Sequence, residues 1–160
     1  RKNLKSGWRG SLRKAEKQNI EIEWNTDGKL LPWFVEHYKT DKEQKKYPGA
    51  SPKMLLALGK AYLAGKNTLI GRATLDGQAL AGVLLFCHGK SATYQAGWTT
   101  PAGREKCAHN LLLWNALRVL SERTIRHVDL GGVNEDNAKG VKSFKEGMGG
   151  ITIETIPLCN

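Results

Sequence analysis

The chain has 160 residues, with 25 Lys and Arg against 15 Asp and Glu, so its formal net charge is +10 and its pI is near 9.7. That length suits one domain with a single core, able to bury about 70% of the surface an unfolded chain exposes. No apolar run approaches the roughly 18 residues of a membrane span and no charged-then-apolar leader opens the chain, while the basic excess favours anionic partners: phosphates, nucleic acid or acidic lipid. Cys87, Cys107 and Cys159 are odd in number and lack metal-ligand spacing, so reduced, cytosolic thiols are expected. Arg1 is not a Met and leads at once into a dense basic segment, which suggests a domain of a longer protein.

From Arg1 to Gln18, Leu4, Trp8, Leu12 and Ala15 recur at helical spacing, although Gly7 and Gly10 each weaken a helix by roughly 1 kcal/mol. Ile20, Ile22 and Trp24 alternate with Glu21 and Glu23 as in a half-buried strand, closed by Asn25-Thr26-Asp27-Gly28. Pro32 suits the first turn of a helix carrying Leu31, Phe34, Val35 and Tyr38 on one face. Ser51-Pro52 is an N-cap signal for a second helix through Met54, Leu55, Leu58 and Tyr62 to a stop at Gly65. The charged stretch Lys39 to Ala50 between them, ending in Tyr47-Pro48-Gly49, has the composition of a mobile loop.

Three strands follow, Thr68–Leu75, Gln78–Cys87 and Ser91–Trp98, joined by Asp76-Gly77 and His88-Gly89-Lys90 as hairpin turns. The middle strand is apolar on both faces and is expected at the centre of the sheet. A helix from about Lys106 to Arg123 is apolar nearly all round, which calls for a sheet on one side and further structure on the other. Ile125–Leu130 is a short strand ending in Gly131-Gly132, Gly140–Met148 a short helix and Ile151–Leu158 a last strand. The order describes an α/β domain with a mixed, mostly antiparallel sheet flanked by helices.

Charge is the most local chemical signal. Seven of the cations and only Glu16 among the acids fall in residues 1–18, so six of the ten net positive charges sit there. Lys5, Arg9, Arg13 and Lys17 form an i, i+4 row whose mutual repulsion costs a few tenths of a kcal/mol per pair. An anion would relieve it, and a solvated helix face is the competing role.

Asp129-Leu130-Gly131-Gly132 at a strand end, followed by Phe144-Lys145-Glu146-Gly147-Met148-Gly149-Gly150, offers close backbone approach to a ligand. Neither GxxxxGK[ST] nor GxGxxG is present, so turn-making is the competing role for these glycines. Lys145 can set a positive charge beside a developing oxyanion, as acyl transfer requires, or stand as a surface lysine. His37, His88, His109 and His127 lack metal spacing, and no GxSxG or Ser-His-Asp order is present. His109, entering an apolar helix, has the place of a packing or capping residue rather than a base. Tyr94 and Trp98 alternate on one strand face, as core residues or as a pocket wall.

Five stretches in order, Trp8-Arg9-Gly10-Ser11-Leu12-Arg13-Lys14-Ala15-Glu16-Lys17, Tyr94-Gln95-Ala96-Gly97-Trp98, Asn110-Leu111-Leu112-Leu113-Trp114-Asn115-Ala116, Asp129-Leu130-Gly131-Gly132-Val133 and Phe144-Lys145-Glu146-Gly147-Met148-Gly149-Gly150, resemble the Fem family. Those are peptidoglycan-bridge aminoacyl transferases built from two domains of the GNAT acetyltransferase fold, and residues 1–160 resemble the second. The resemblance implies that the chain is a GNAT-like domain forming the C-terminal half of a two-domain enzyme. Such an enzyme transfers an amino acid from aminoacyl-tRNA to an amine of the stem peptide on a UDP-linked or lipid-linked peptidoglycan precursor.

It further implies a cytoplasmic protein with possible peripheral contact at the membrane surface, needing no metal and no cofactor beyond the aminoacyl-tRNA donor. Lys145 is implied as the catalytic charge contact near the tRNA acceptor end, and Arg9 and Arg13 as binders of precursor or tRNA phosphate, since guanidinium matches phosphate bidentately. Tyr94, Trp98, Asn110, Gly131, Gly132 and Phe144, within the same stretches, are the further substrate-binding positions. No general base is implied within the chain, and part of the acceptor site belongs to the family's first domain.

Two departures stand out. Ordinary GNAT acetyltransferases cradle the coenzyme A pyrophosphate in an [RQ]xxGx[GA] loop, and Thr99 to Ala108 lacks that motif, which disfavours acyl-CoA as donor. Thr124 occupies a position where relatives are expected to end a helix with Gly. An acyl-CoA-dependent acyltransferase and a non-catalytic module of a cell-wall synthesis complex are the alternatives.

Overall fold

The computed structural model describes residues 1–132 and 139–153. Its sheet has five strands in sequential order: β1 (Glu21–Asn25), β2 (Thr68–Leu75), β3 (Gln78–His88), β4 (Ser91–Thr99) and β5 (His127–Asp129). The first three pairings are antiparallel and β4–β5 is parallel, so the sheet is mixed and β3, apolar on both faces, is central. Asp76 and Gly77 both take positive φ, 48° and 76°, as the tight β2–β3 hairpin requires.

Helices α2 (Leu31–Lys45) and α3 (Pro52–Leu63) cover one face, burying Leu31, Phe34, Tyr38 and Leu55 against Ile70, Leu84 and Phe86. The N-cap signal holds: Ser51 Oγ accepts the Met54 N–H at 3.1 Å. The left-handed residue after α3 is Lys66 (φ 53°), one position beyond Gly65. Residues 39–45, expected in a mobile loop, instead continue α2 with an Asp41–Lys45 ion pair at i, i+4. The remaining Lys46–Ala50 segment is pinned: Tyr38 Oη donates to Ala50 O at 3.1 Å, Lys42 Nζ to Gly49 O at 2.7 Å and Tyr47 Oη to Asp41 at 3.1 Å.

The opposite face carries α5 (Ala108–Glu122), whose Ala108, Leu112, Leu113, Ala116 and Leu120 pack on β2, β3 and β4. Its outer side meets α1 (Ser6–Glu16), where Leu4, Trp8 and Leu12 pack against Leu111 and Trp114, as the all-round apolar pattern demanded. The short α4 (Pro101–Glu105) precedes α5, and α6 (Lys139–Gly147) closes on α1 through Trp8 and Phe144, centroids 5.9 Å apart. Residues 151–153 are not in a strand, and the rest of the expected Ile151–Leu158 strand lies outside the described residues. Cys87 and Cys107 are free thiols, and Cys159 lies outside the described residues. Among the described residues no helix is long and apolar enough to cross a membrane.

Candidate active site

β4 and β5 pair only over Ser91–Thr93 and His127–Asp129. Beyond Thr93, β4 continues along β3 to Thr99 while the other chain departs as Leu130-Gly131-Gly132, so the sheet parts into a V. The departing arm is shaped locally: the Asp129 carboxylate accepts the Gly131 N–H at 2.7 Å and Gly131 takes φ 76°. Lys145, on α6, reaches across and donates from Nζ to Gly132 O at 2.9 Å. A Cβ on Gly131 would lie 3.5 Å from that nitrogen and 3.9 Å from Tyr94 O, so the ammonium and both arms of the V meet at one point. Burial pushes the Lys145 ammonium below the usual lysine range and Asp129 opposes the shift.

The β4 arm contains a β-bulge. Leu85 pairs with Tyr94 and Leu84 with Ala96, so Gln95 is the extra residue. This corrects the expectation that Tyr94 and Trp98 share a face: a strand alternates with period two, and one inserted residue reverses the phase. Tyr94 therefore belongs to the α5 side. Trp98, 3% exposed, belongs to the α2 side, where its ring stacks on His37 (4.7 Å) and meets Trp33 edge-on (5.3 Å).

Tyr94 runs along the strand over Gly97, where a Cβ would collide with its hydroxyl. Its Oη lies 3.2 Å from His109 Nε2 in the first turn of α5, beside Asn110. His109 packs on Phe144, centroids 5.5 Å apart, which joins the pair to the helix that supplies Lys145. Burial dominates both titrations, holding the Tyr94 phenol above the usual range and the His109 imidazole down at about 4, so both are neutral at neutral pH. His109 Nδ1 is buried without a hydrogen bond of normal geometry, although the Trp98 backbone lies close enough to favour the protonated ring.

The structure thus brings Lys145, Gly131, Gly132, Tyr94 and Phe144 together, adds His109, and puts Asn110 at the margin. Arg9 and Arg13 line a separate shallow depression with Arg1, Lys2 and Leu12 on the outer side of α1. Arg1 is held there by Glu16 and by its cation–π contact with Trp114 (5.7 Å). His109 carried no motif in the sequence. The signal that would have found it is the glycine three residues after Tyr94, which vacates the space the pair occupies.

The family described as "Acetyltransferase (GNAT) domain" matches residues 2–146. No curated protein matches the sequence. Among solved structures, the fold is similar to that of FemX, with TM-score 0.81, 15% identity and 92% of this chain covered. This chain spans 54% of the length of FemX, about half. A possible acetyltransferase from Clostridium difficile 630 is similar at TM-score 0.64 and 17% identity, covering 88% of this chain and 96% of that one. The aminoglycoside acetyltransferase AAC(6')-Iy, solved with a CoA-S-monomethyl-acetylneamine bisubstrate analogue, is similar at TM-score 0.63 and 16% identity, covering 89% and 99%. The mixed five-stranded sheet, its parting at β4–β5 and the match over residues 2–146 lead to one conclusion: the chain belongs to the GNAT acetyltransferase domain family.

Proposed function

We propose that this acyltransferase domain moves an aminoacyl group from aminoacyl-tRNA to an amine of a peptidoglycan-precursor stem peptide, as the C-terminal half of a Fem-like enzyme at the inner face of the cell membrane. The observation that carries the reading is the segment leading into α5. A pyrophosphate cradle offers free backbone amides, but here the amides of Gly103, Arg104, Lys106 and Cys107 all donate within the segment, to Thr100 Oγ1, Thr100 O, Ala102 O and Arg104 O. Lys145, by contrast, holds its ammonium against Gly132 O and beside Gly131 where β4 and β5 part, and in this reading that charge faces the ester carbonyl of the donor. The amine attacks that carbonyl, the ammonium stabilises the oxyanion, and the domain otherwise positions the reactants. The basic face of α1, with Arg9 and Arg13, supplies contacts for donor or precursor phosphates. The likeness to FemX supports the same assignment.

A second reading, acyl-CoA as donor, rests on the coverage of the acetyltransferase structures: they match over nearly their whole length, so one such domain suffices for acyl-CoA chemistry there. Two titrations separate the readings. Aminoacyl-tRNA binding is expected to weaken steeply between 50 and 200 mM salt, roughly tenfold or more, and coenzyme A is expected to leave the melting temperature unchanged. Salt-indifferent or absent tRNA binding together with a coenzyme A shift would reverse the assignment. Lys145→Ala is expected to lower kcat by about 10²–10³ with little change in melting temperature; a large loss of melting temperature would make the lysine structural instead.

A further inference from the structure

Neither the sequence nor its resemblance supplies a group to take the proton that the attacking amine must lose. We infer that Tyr94 and His109 form that group, a relay that takes the proton from the amine and delivers it to the departing oxygen. This rests on the acyl-transfer reading above.

The geometry carries it. The Gln95 bulge turns Tyr94 to the face that Lys145 and α6 close, its main chain beside Gly131 and its hydroxyl directed inward at His109 Nε2, 3.2 Å away. Gly97 provides the room, since a side chain there would displace both groups. In the relay the imidazole carries its proton on Nδ1, which is buried without a hydrogen-bond partner, and the Nε2 lone pair that faces Tyr94 Oη accepts from the phenol O–H. The charged groups within electrostatic reach are Asp41 and Lys45 of α2, an ion pair whose effects on His109 oppose one another; Tyr38 and Asp41 act on Tyr94.

The step balances within the pair. As the amine nitrogen bonds to the acyl carbon, its proton passes to Tyr94 Oη while the hydroxyl proton moves to His109 Nε2. When the ester C–O bond breaks, His109 returns its proton to Oη and Tyr94 releases one to the leaving oxygen. Imidazole and phenol end as they began. Because the amine acidifies as the C–N bond forms, a neutral acceptor of low basicity suffices.

The test uses the full-length protein supplied separately with aminoacyl-tRNA and with acetyl-CoA, and an acceptor series of amines of graded basicity. Tyr94→Phe is expected to lower kcat by about 10²–10⁴, to leave KM within about threefold, and to make kcat depend more steeply on acceptor basicity, a response that lost packing would not produce. His109→Gln is expected to behave alike; should it fail to fold, Tyr94→Phe decides alone. Long-range 1H–15N spectra of the wild type are expected to show the Nδ1–H tautomer. Tyr94→Phe within about threefold of wild-type kcat, or a proton on Nε2, overturns the relay. Transfer from acetyl-CoA alone would remove the aminoacyl-tRNA reading while leaving the variants to decide the relay, and transfer from neither donor would overturn both.

Discussion

On the α2–α3 face of the sheet, Phe34, Leu31, Leu55, Ile70 and Leu84 are fully or almost fully buried, and the rings of Trp33, His37 and Trp98 close on one another. On the α5 face many of the buried positions are small, with Ala73, Ala81, Ala92, Ala108 and Ala116 letting the helix approach, and the larger polar side chains Tyr94, His109 and Lys145 gather where β4 and β5 part. The same strands serve both. Large rings make one side a support, and small residues leave the other room for groups whose protonation states burial can set.

The contrast is sharpest if the support is breached. Phe34→Ala is expected to cost about 3–5 kcal/mol, read from urea midpoints, because a wholly enclosed ring leaves a cavity that its neighbours fill only in part. A smaller loss would mean that this face is more yielding than its packing implies.

The polar side predicts a dependence on pH instead. His109 titrates at about 4 in the fold against 6.5 for a free imidazole, so between those values the unfolded chain binds the extra proton. Its contribution is complete above pH 6.5, declines as the pH falls towards 4 and is constant below. The loss is on the order of 3 kcal/mol if the whole shift is expressed, and denaturant curves at pH 7, 5 and 4 measure it. In His109→Gln that part of the slope is expected to vanish.

Gly97→Ala probes the space between the two neutral groups. Its Cβ would strike the Tyr94 hydroxyl and lie 2.8 Å from His109 Cε1, for a loss of about 1–3 kcal/mol. The Tyr94–His109 contact would go with it, visible as a changed imidazole resonance. The smallest effect is a gain. Thr124, just after α5, has φ 62°, where a β-branched residue is strained, so Thr124→Gly is expected to raise stability by about 1 kcal/mol in thermal or urea unfolding.

Much of this architecture is legible without coordinates because its signals are local. The two-residue turn at Asp76-Gly77, the Ser51 cap and the uninterrupted apolar run of β3 each involve only neighbouring residues, and each forms as expected. Lys39–Lys45 misleads because its charges look solvated, whereas the helix is held by the Asp41–Lys45 pair and by tyrosines whose partners lie up to twelve residues away. The site is legible in part: Lys145 and the two glycines occur within a short reach of sequence, and the fold sets them in contact. The pairing of Tyr94 with His109 is not legible. It depends on the bulge, which no composition rule marks, and on a contact spanning fifteen positions.

That bulge has a consequence for how β4 can change. Residues before Gln95 and residues after it obey opposite parities, so removing the codon for Gln95 would not merely shorten the strand. It would bring both halves into one regular alternation while keeping Leu85 opposite Tyr94, Leu84 opposite Ala96 and Gly82 opposite Trp98, so the indole lying 2.6 Å from where the Gly82 Cβ would stand keeps its place. The bulge is therefore a point where the strand can lose a residue without turning either ring to the other face, and relatives that keep the site are expected to tolerate a change of length here better than in the regular ladder on either side.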